Sequence, residues 1–207
     1  MASAAAVRQG GPFEGAALVA WSALGVAALC GGLLAAQGTG EQGVGLVTRA
    51  TARVACVVFL AAWSASSLRR LWPTPLSAWL LRNRRHLGLS FATVQLFHAV
   101  AIGGLVWLLG DAFEYDPVSL SVGGMAYVFT VALAATSSDR AVAWLGRSRW
   151  RVLHRFGAHW IFFVFAATLL PAAFTSPLHA LLAALVAAAL AARIAAARLR
   201  PGPARMR

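Results

Sequence analysis

The sequence predicts an all-α integral membrane protein, a bundle of six transmembrane helices, and three observations carry that prediction. Hydrophobic residues make up 60% of the 207 residues and charged residues only 12%, with a mean hydropathy of +0.72. A soluble domain carries about 25% charged residues, so this chain has too little polar surface to cover a core in water. Six apolar runs reach the length of about 20 residues that a spanning helix needs. The arginines gather between those runs rather than along one face of them.

The spans fall at residues 15–37, 50–68, 86–110, 118–138, 152–174 and 178–196. The first follows Arg8 and ends in LAAQ, which gives it some likeness to a signal peptide. Its apolar stretch is longer than a signal core, and its removal would leave five spans with contradictory flanking charge, so it reads as a retained helix. The second ends at Arg69 and Arg70, and the third starts after Arg84 and Arg85. The fifth begins beyond Trp150 and Arg151. The sixth, LLAALVAAALAARIAAA, has the small-residue texture that lets helices pack closely in lipid. Connections are short, so consecutive helices are antiparallel neighbours. The organisation is a tail (1–14), one membrane domain (15–199) and a basic tail (200–207), with no soluble domain before, between or after the spans.

Charge sets the orientation. Arg69, Arg70, Arg82, Arg84 and Arg85 precede span three; Arg140, Arg147, Arg149, Arg151 and Arg155 precede or open span five; Arg198, Arg200, Arg205 and Arg207 follow span six. With six spans these groups share one side, and the opposite loop, DAFEYDP, is acidic. The positive-inside rule then puts both termini in the cytoplasm of a bacterial inner membrane. Arg49 and Arg53 are the exceptions, on the wrong side or at its edge. Trp72, Trp79, Trp144 and Trp150 fall at the arginine-rich boundaries, as an interfacial aromatic belt requires.

Most motifs carry no chemistry. The net charge of +12 follows from topology rather than from a nucleic-acid-binding face, which would need its own motif. Gly38, Gly40 and Gly43 spell GxGxxG, but a dinucleotide site needs a strand before it and a βαβ unit around it; here it is a turn between membrane helices. Cys30 and Cys56 lie in apolar runs without metal-ligand spacing. The six acidic residues lie in loops or termini, which leaves no intramembrane carboxylate for a proton relay. No hydrolytic set is present, and neither intramembrane charge nor internal repeats point to a transporter.

Histidine is different. In LLRNRRHLGLSFATVQLFH, Arg82, Arg84 and Arg85 mark the interface and His98 follows 13 residues after Arg85. Ionisable side chains at such depth are functional-site candidates, and a neutral imidazole is a common haem ligand. The alternative is a bundle-facing ring bonded to Ser, Thr or a backbone carbonyl. His154, in WRVLHRFGAHW, sits near the interface, where packing or snorkelling is the common role. His159 is about 140° round the helix from it. His86 adjoins the arginines and reads as solvated, and His179 opens span six facing headgroups.

LLRNRRHLGLSF with His98, the GGMAYVFTVALAATSSDRAVAWLG stretch and WRVLHRFGAHW together resemble the ferric-reductase-like transmembrane family over residues 53–170. That group includes membrane ferric reductases, NADPH oxidases and the haem-bearing membrane subunit of the bacterial methionine sulfoxide reductase system. The resemblance implies a six-helix, cytochrome-b-like bundle that holds haem b between helices three and five and passes electrons across the bilayer. By position, His98 matches the helix-three ligand and His154 the first of two helix-five histidines. The second belongs at position 167, which is alanine, and neither Ala166 nor Thr168 replaces it.

Depth leaves the partner of His98 open. At 1.5 Å per residue, His98 lies about 20 Å past Arg85, while His154 lies about 5 Å and His159 about 12 Å past Arg151. His179 enters from the other side and approaches His98 in depth, though no family motif includes it. The function this implies is one-electron transfer through one bundle-held haem, as the membrane component of an oxidoreductase. Its donor is separate, a flavin reductase or quinol, and its acceptor is unknown. The alternative is a haem-free scaffold or partner-binding subunit that keeps the fold.

Overall fold

A computed structural model describes residues 11, 13–114 and 116–199. Arg8, Tyr115, Arg200, Arg205, Arg207 and the remainder of both tails lie outside the described residues. The elements run α1 (Ala16–Gln37), α2 (Glu41–Leu71), α3 (Pro75–Arg82), α4 (Arg84–Leu109), α5 (Pro117–Ala135), α6 (Asp139–Leu145), α7 (Arg147–Leu169) and α8 (Pro177–Arg198). Short 3-10 turns, Gly110–Ala112 and Pro171–Phe174, follow α4 and α7. Six helices, α1, α2, α4, α5, α7 and α8, are long and apolar enough to cross a membrane. The protein is all-α with six spans; α3 and α6 are short helices in its connections.

Two span starts lie several residues from the sequence reading. The second span begins at Glu41 rather than residue 50. Gly38, at φ +79°, ends α1, and Gly40 opens α2. A Cβ on Gly43 would collide with the Gly38 carbonyl oxygen. The three glycines therefore make a tight hairpin that lets the helix start early, with Glu41 at the positive end of its dipole. Glu41 is thus in a helix, and Arg49 and Arg53 sit within a span rather than at its edge. The fifth span starts at Arg147 rather than 152, straight after Gly146 at φ +77°. Its α-helix, α7, stops at Leu169 ahead of Pro171, which lacks the N–H to continue it, and the Pro171–Phe174 turn completes the span to Phe174.

One end of the bundle is tied together by polar contacts. Arg82 pairs with Glu14 at 3.3 Å and Arg85 with Asp139 at 3.2 Å. The Gly15 N–H donates to Asn83 Oδ1, and Arg70 donates to the Ala196 carbonyl. These bonds bring the start of α1, the α2–α4 connection, the start of α6 and the end of α8 to one arginine-rich end. At the other end, Asp116 caps α5 by accepting from the Val118 and Ser119 N–H groups. The Ser119 side chain and then these backbone donors hold its carboxyl below the usual carboxylate range.

Packing centres on α2, where Ala55, Cys56, Phe59, Leu60 and Trp63 are buried. Phe59 touches Phe91 of α4 and Phe165 of α7, with centroids 5.2 and 5.6 Å apart. On α8 the buried residues Leu182, Val186, Ala189 and Ala196 form one stripe. Their mostly small side chains permit the close approach that drives helix association in lipid. Outward, Trp107 and Phe174 are almost fully exposed, as lipid-facing residues are.

Candidate functional site

A cavity of about 300 Å³ opens between α2, α4, α5, α7 and α8, toward the end opposite the arginine cluster. That volume is at the lower end for small-molecule sites. His98 of α4 lines it, held by a 3.1 Å hydrogen bond between its Nδ1 and Thr51 Oγ1 of α2. Thr51 gives its own proton to the Val47 carbonyl at 2.8 Å, so its oxygen accepts from the imidazole. The ring proton then sits on Nδ1, and Nε2 carries a lone pair. A histidine whose Nδ1–H is anchored in this way is oriented as metal ligands are.

His179 of α8 lines the same cavity. Its Nδ1 lies 2.8 Å from Ser176 Oγ and 3.1 Å from Thr175 Oγ1. Thr175 donates to the Ala172 carbonyl, and Ser176 caps α8 by accepting the His179 N–H. Thr175 Oγ1 can therefore only accept from Nδ1, whereas Ser176 Oγ keeps its own proton and can accept or donate there; with the ring proton on Nδ1, Nε2 is a free donor atom as in His98. His179 does not simply face headgroups, as its place at the head of span six suggests; the Thr175–Ser176 cap holds it at the cavity.

Polar groups complete the lining. Arg49 and Arg53 project from α2, Gln95 lies one turn from His98, and the Tyr127 ring of α5 lies nearly parallel to His98, with centroids 6.4 Å apart. Gln95 Oε1 and Tyr127 Oη are buried without a hydrogen-bond partner. Each such group costs about 1–3 kcal/mol if left unmatched. Two orphaned oxygens, two guanidinium groups and two oriented imidazoles suit a polar, metal-bearing ligand better than lipid. Among the described residues no three His, Cys, Asp or Glu side chains cluster to hold a bare metal ion. A metal that brings its own equatorial ligands needs only one or two from the protein, and this donor set fits haem.

Contacts at Trp63 set the depths. This residue stacks on Phe162 of α7 at 4.2 Å and lies 4.3 Å beneath the Arg193 guanidinium of α8. α2 and α8 run in the same direction, so equal steps back from Trp63 and Arg193 bring Arg49 level with His179. Thr51, which holds His98, is two residues on, so His98 and His179 lie within about 3 Å of one depth. Counted from Phe162, Ala167 falls about 10 Å short of the His98 level. It is exposed and does not line the cavity.

The other histidines lie elsewhere. His154 Nε2 is 2.9 Å from Thr136 Oγ1, and its ring packs on Trp150 at 4.2 Å. By the same count it lies about 30 Å from the level of His98. His159 is exposed; its Nδ1 donates to the Arg155 carbonyl, and it shares a surface groove with Arg151 and Arg155. His86 is not solvated at Nδ1, which is buried without a partner. Of the sequence-derived candidates His98, His154 and His159, His98 alone lines the cavity, and His179 joins it there. Arg49, Arg53, Gln95 and Tyr127 were not anticipated. The signal for the arginines was their breach of the positive-inside pattern.

Comparison with known proteins finds relatives over a little more than half of the chain. The chain is 36% identical over 126 residues to the protein-methionine-sulfoxide reductase haem-binding subunit of Ralstonia nicotianae, covering 56% of this chain and 54% of the relative. The subunit of the same name from Bordetella parapertussis is 36% identical over 129 residues, 58% of each chain. That from Azospira oryzae matches at 36% over 86 residues. This chain is related to those membrane subunits, and the first two matches span a little over half their length. No family model matches, and no solved structure matches.

Proposed function

We propose that this chain is a cytochrome-b-like membrane subunit that carries single electrons across the bilayer through haem b, with His98 as an axial ligand. The observation that carries the reading is the Thr51–His98 hydrogen bond, which aims an unprotonated Nε2 into an internal cavity. The names of the related subunits support the cofactor. Bound haem supplies a one-electron couple whose potential follows its axial ligands, hydrogen bonds and burial.

The chain's own residues would do the rest. Thr51 orients His98, and the aromatic contacts of Phe59, Phe91 and Phe165 bar water from the arginine-rich side. Gln95 and Tyr127 offer polar atoms to the bound group. The donor, a separate flavin reductase or quinol, would approach the arginine-rich end, placed in the cytoplasm of a bacterial inner membrane. There, Arg151, Arg155 and His159 line a groove suited to phosphate-bearing or acidic groups. On the opposite side the acceptor would be a methionine-sulfoxide-reducing partner, as the relatives' names suggest. His154 and His159 lie too far from His98 in depth to share its iron.

Oxidised and dithionite-reduced spectra of protein purified from haem-replete cells test this. A stoichiometric Soret band, lost in His98→Ala, is expected. A wild-type protein with no Soret band would sink the proposal and favour the haem-free scaffold, a reading that rests on Ala167.

A further inference from the structure

The cavity contains a second oriented imidazole where the family pattern has none. Resting on the reading of the cavity as a haem site, we propose that His179 is the axial ligand opposite His98. The haem would then be held between α4 and α8 rather than between α4 and α7.

Four observations converge on this. His98 and His179 line one cavity. The contact of Arg193 with Trp63 and the bond of Thr51 to His98 bring them to nearly one depth. Each ring is held at Nδ1 by hydroxyl oxygens, His98 by Thr51 and His179 by Thr175 and Ser176, and with the ring proton on Nδ1 each offers an Nε2 lone pair. Position 167, about 10 Å from that depth, is an exposed alanine outside the cavity.

Charge fits the same occupant. Arg49 and Arg53 border the cavity within a membrane-spanning helix. The two ion pairs among the described residues, Arg82–Glu14 and Arg85–Asp139, leave both arginines without a carboxylate. Guanidinium groups in the bilayer need anionic or carbonyl partners. Haem b brings two carboxylates, and Arg49, level with His179 in depth, lines the same cavity as the proposed ligand.

Absorption and electron paramagnetic resonance spectra of the full-length wild type, His179→Ala, His179→Met, His154→Ala and His159→Ala proteins decide the assignment. The wild type is expected to be six-coordinate and low-spin. His179→Ala should turn high-spin and gain carbon monoxide binding when reduced, and added imidazole should restore the low-spin spectrum. His179→Met should keep haem with a raised midpoint potential, since Met/His ligation raises it. His154→Ala and His159→Ala should match the wild type. A low-spin His179→Ala spectrum without imidazole overturns the assignment, as does conversion to high spin by His154→Ala or His159→Ala. If His179→Ala holds no haem, failure of imidazole to restore a low-spin species also overturns it. In each of these cases the wild-type Soret band remains, whereas its absence defeats the haem reading itself.

Discussion

Thr51 on α2 and His98 on α4 are joined by a 3.1 Å hydrogen bond across the helix pair with the most extensive contact among the described residues. Thr51 is fully buried, and its proton is committed to the Val47 carbonyl. One hydroxyl thus sets both the tautomer and the direction of the imidazole. A bundle-facing histidine bonded to threonine and a metal ligand are usually rival explanations. In the proposed haem site the first prepares the second.

Removing that acceptor should therefore weaken cofactor retention without unfolding the protein. Thr51→Val keeps the shape and loses the oxygen. Loss of an outer-shell partner costs about 10–100-fold in affinity at metal sites, so haem transfer to apomyoglobin should accelerate by that order. Thr51→Ser should restore the wild-type rate. An unchanged Thr51→Val rate would show that the bond does not orient a ligand.

His154 and His159 should prove dispensable for the His98-bound haem. Trp63 meets Phe162 on one side and Arg193 on the other, which fixes α7 so that His154 lies about 30 Å from the level of His98. His154→Ala and His159→Ala are expected to keep the wild-type haem content, read by pyridine haemochrome assay. Loss of the haem from a folded His154→Ala protein would mean that the helix levels are different.

How much of this was legible in the sequence depends on the kind of signal. Long apolar runs and the arginine pattern report directly on membrane crossing, and the six spans followed from them. His98 stood out because an interface marker lies a countable distance away. The early start of α2 was hidden because Gly43 and Gly45 look like loop residues, whereas Gly43 is small so that it can pass the Gly38 carbonyl. That boundary then concealed Arg49 and Arg53 as edge residues. The place of His179 beside His98 depends on how α8 slides against α2, and contacts such as Arg193 with Trp63 set that register without any local pattern.

The hairpin glycine gives a stability prediction. Gly43→Val introduces a Cβ where the Gly38 carbonyl oxygen stands, and neither backbone can move without displacing α1 or α2. Overpacking of this kind costs about 1–3 kcal/mol. A lower melting temperature in detergent is expected, whereas Gly40→Ala, which meets no atom within 4 Å, should change it little.

Sidedness can be read by cysteine labelling in a Cys30→Ala, Cys56→Ala background. Arg85 and Asp139 meet at 3.2 Å, so Arg85→Cys and Asp139→Cys must react from the same face. Ala112→Cys, beyond the far end of α4, must react from the other. An impermeant maleimide added to intact cells should label only Ala112→Cys if the arginine-rich end is cytoplasmic. Labelling of Asp139→Cys in intact cells would invert the orientation.

The arginines that break the charge pattern should tune the redox couple. Arg49 and Arg53 border the cavity with no carboxylate partner among the described residues. Positive charge favours the state with one more electron, so neutralising it should lower the midpoint potential. A unit charge at about 10 Å with an effective dielectric constant near 20 contributes about 1.7 kcal/mol. For a one-electron couple, about 1.4 kcal/mol corresponds to about 59 mV. Arg49→Gln and Arg53→Gln should therefore each lower the potential by tens of millivolts in a spectroelectrochemical titration, and the double variant by more. Arg193→Gln, whose guanidinium lies over Trp63 deeper in the bundle, serves as the comparison and should shift it less. Equal shifts from Arg49→Gln and Arg193→Gln would place the cofactor away from the Arg49 end.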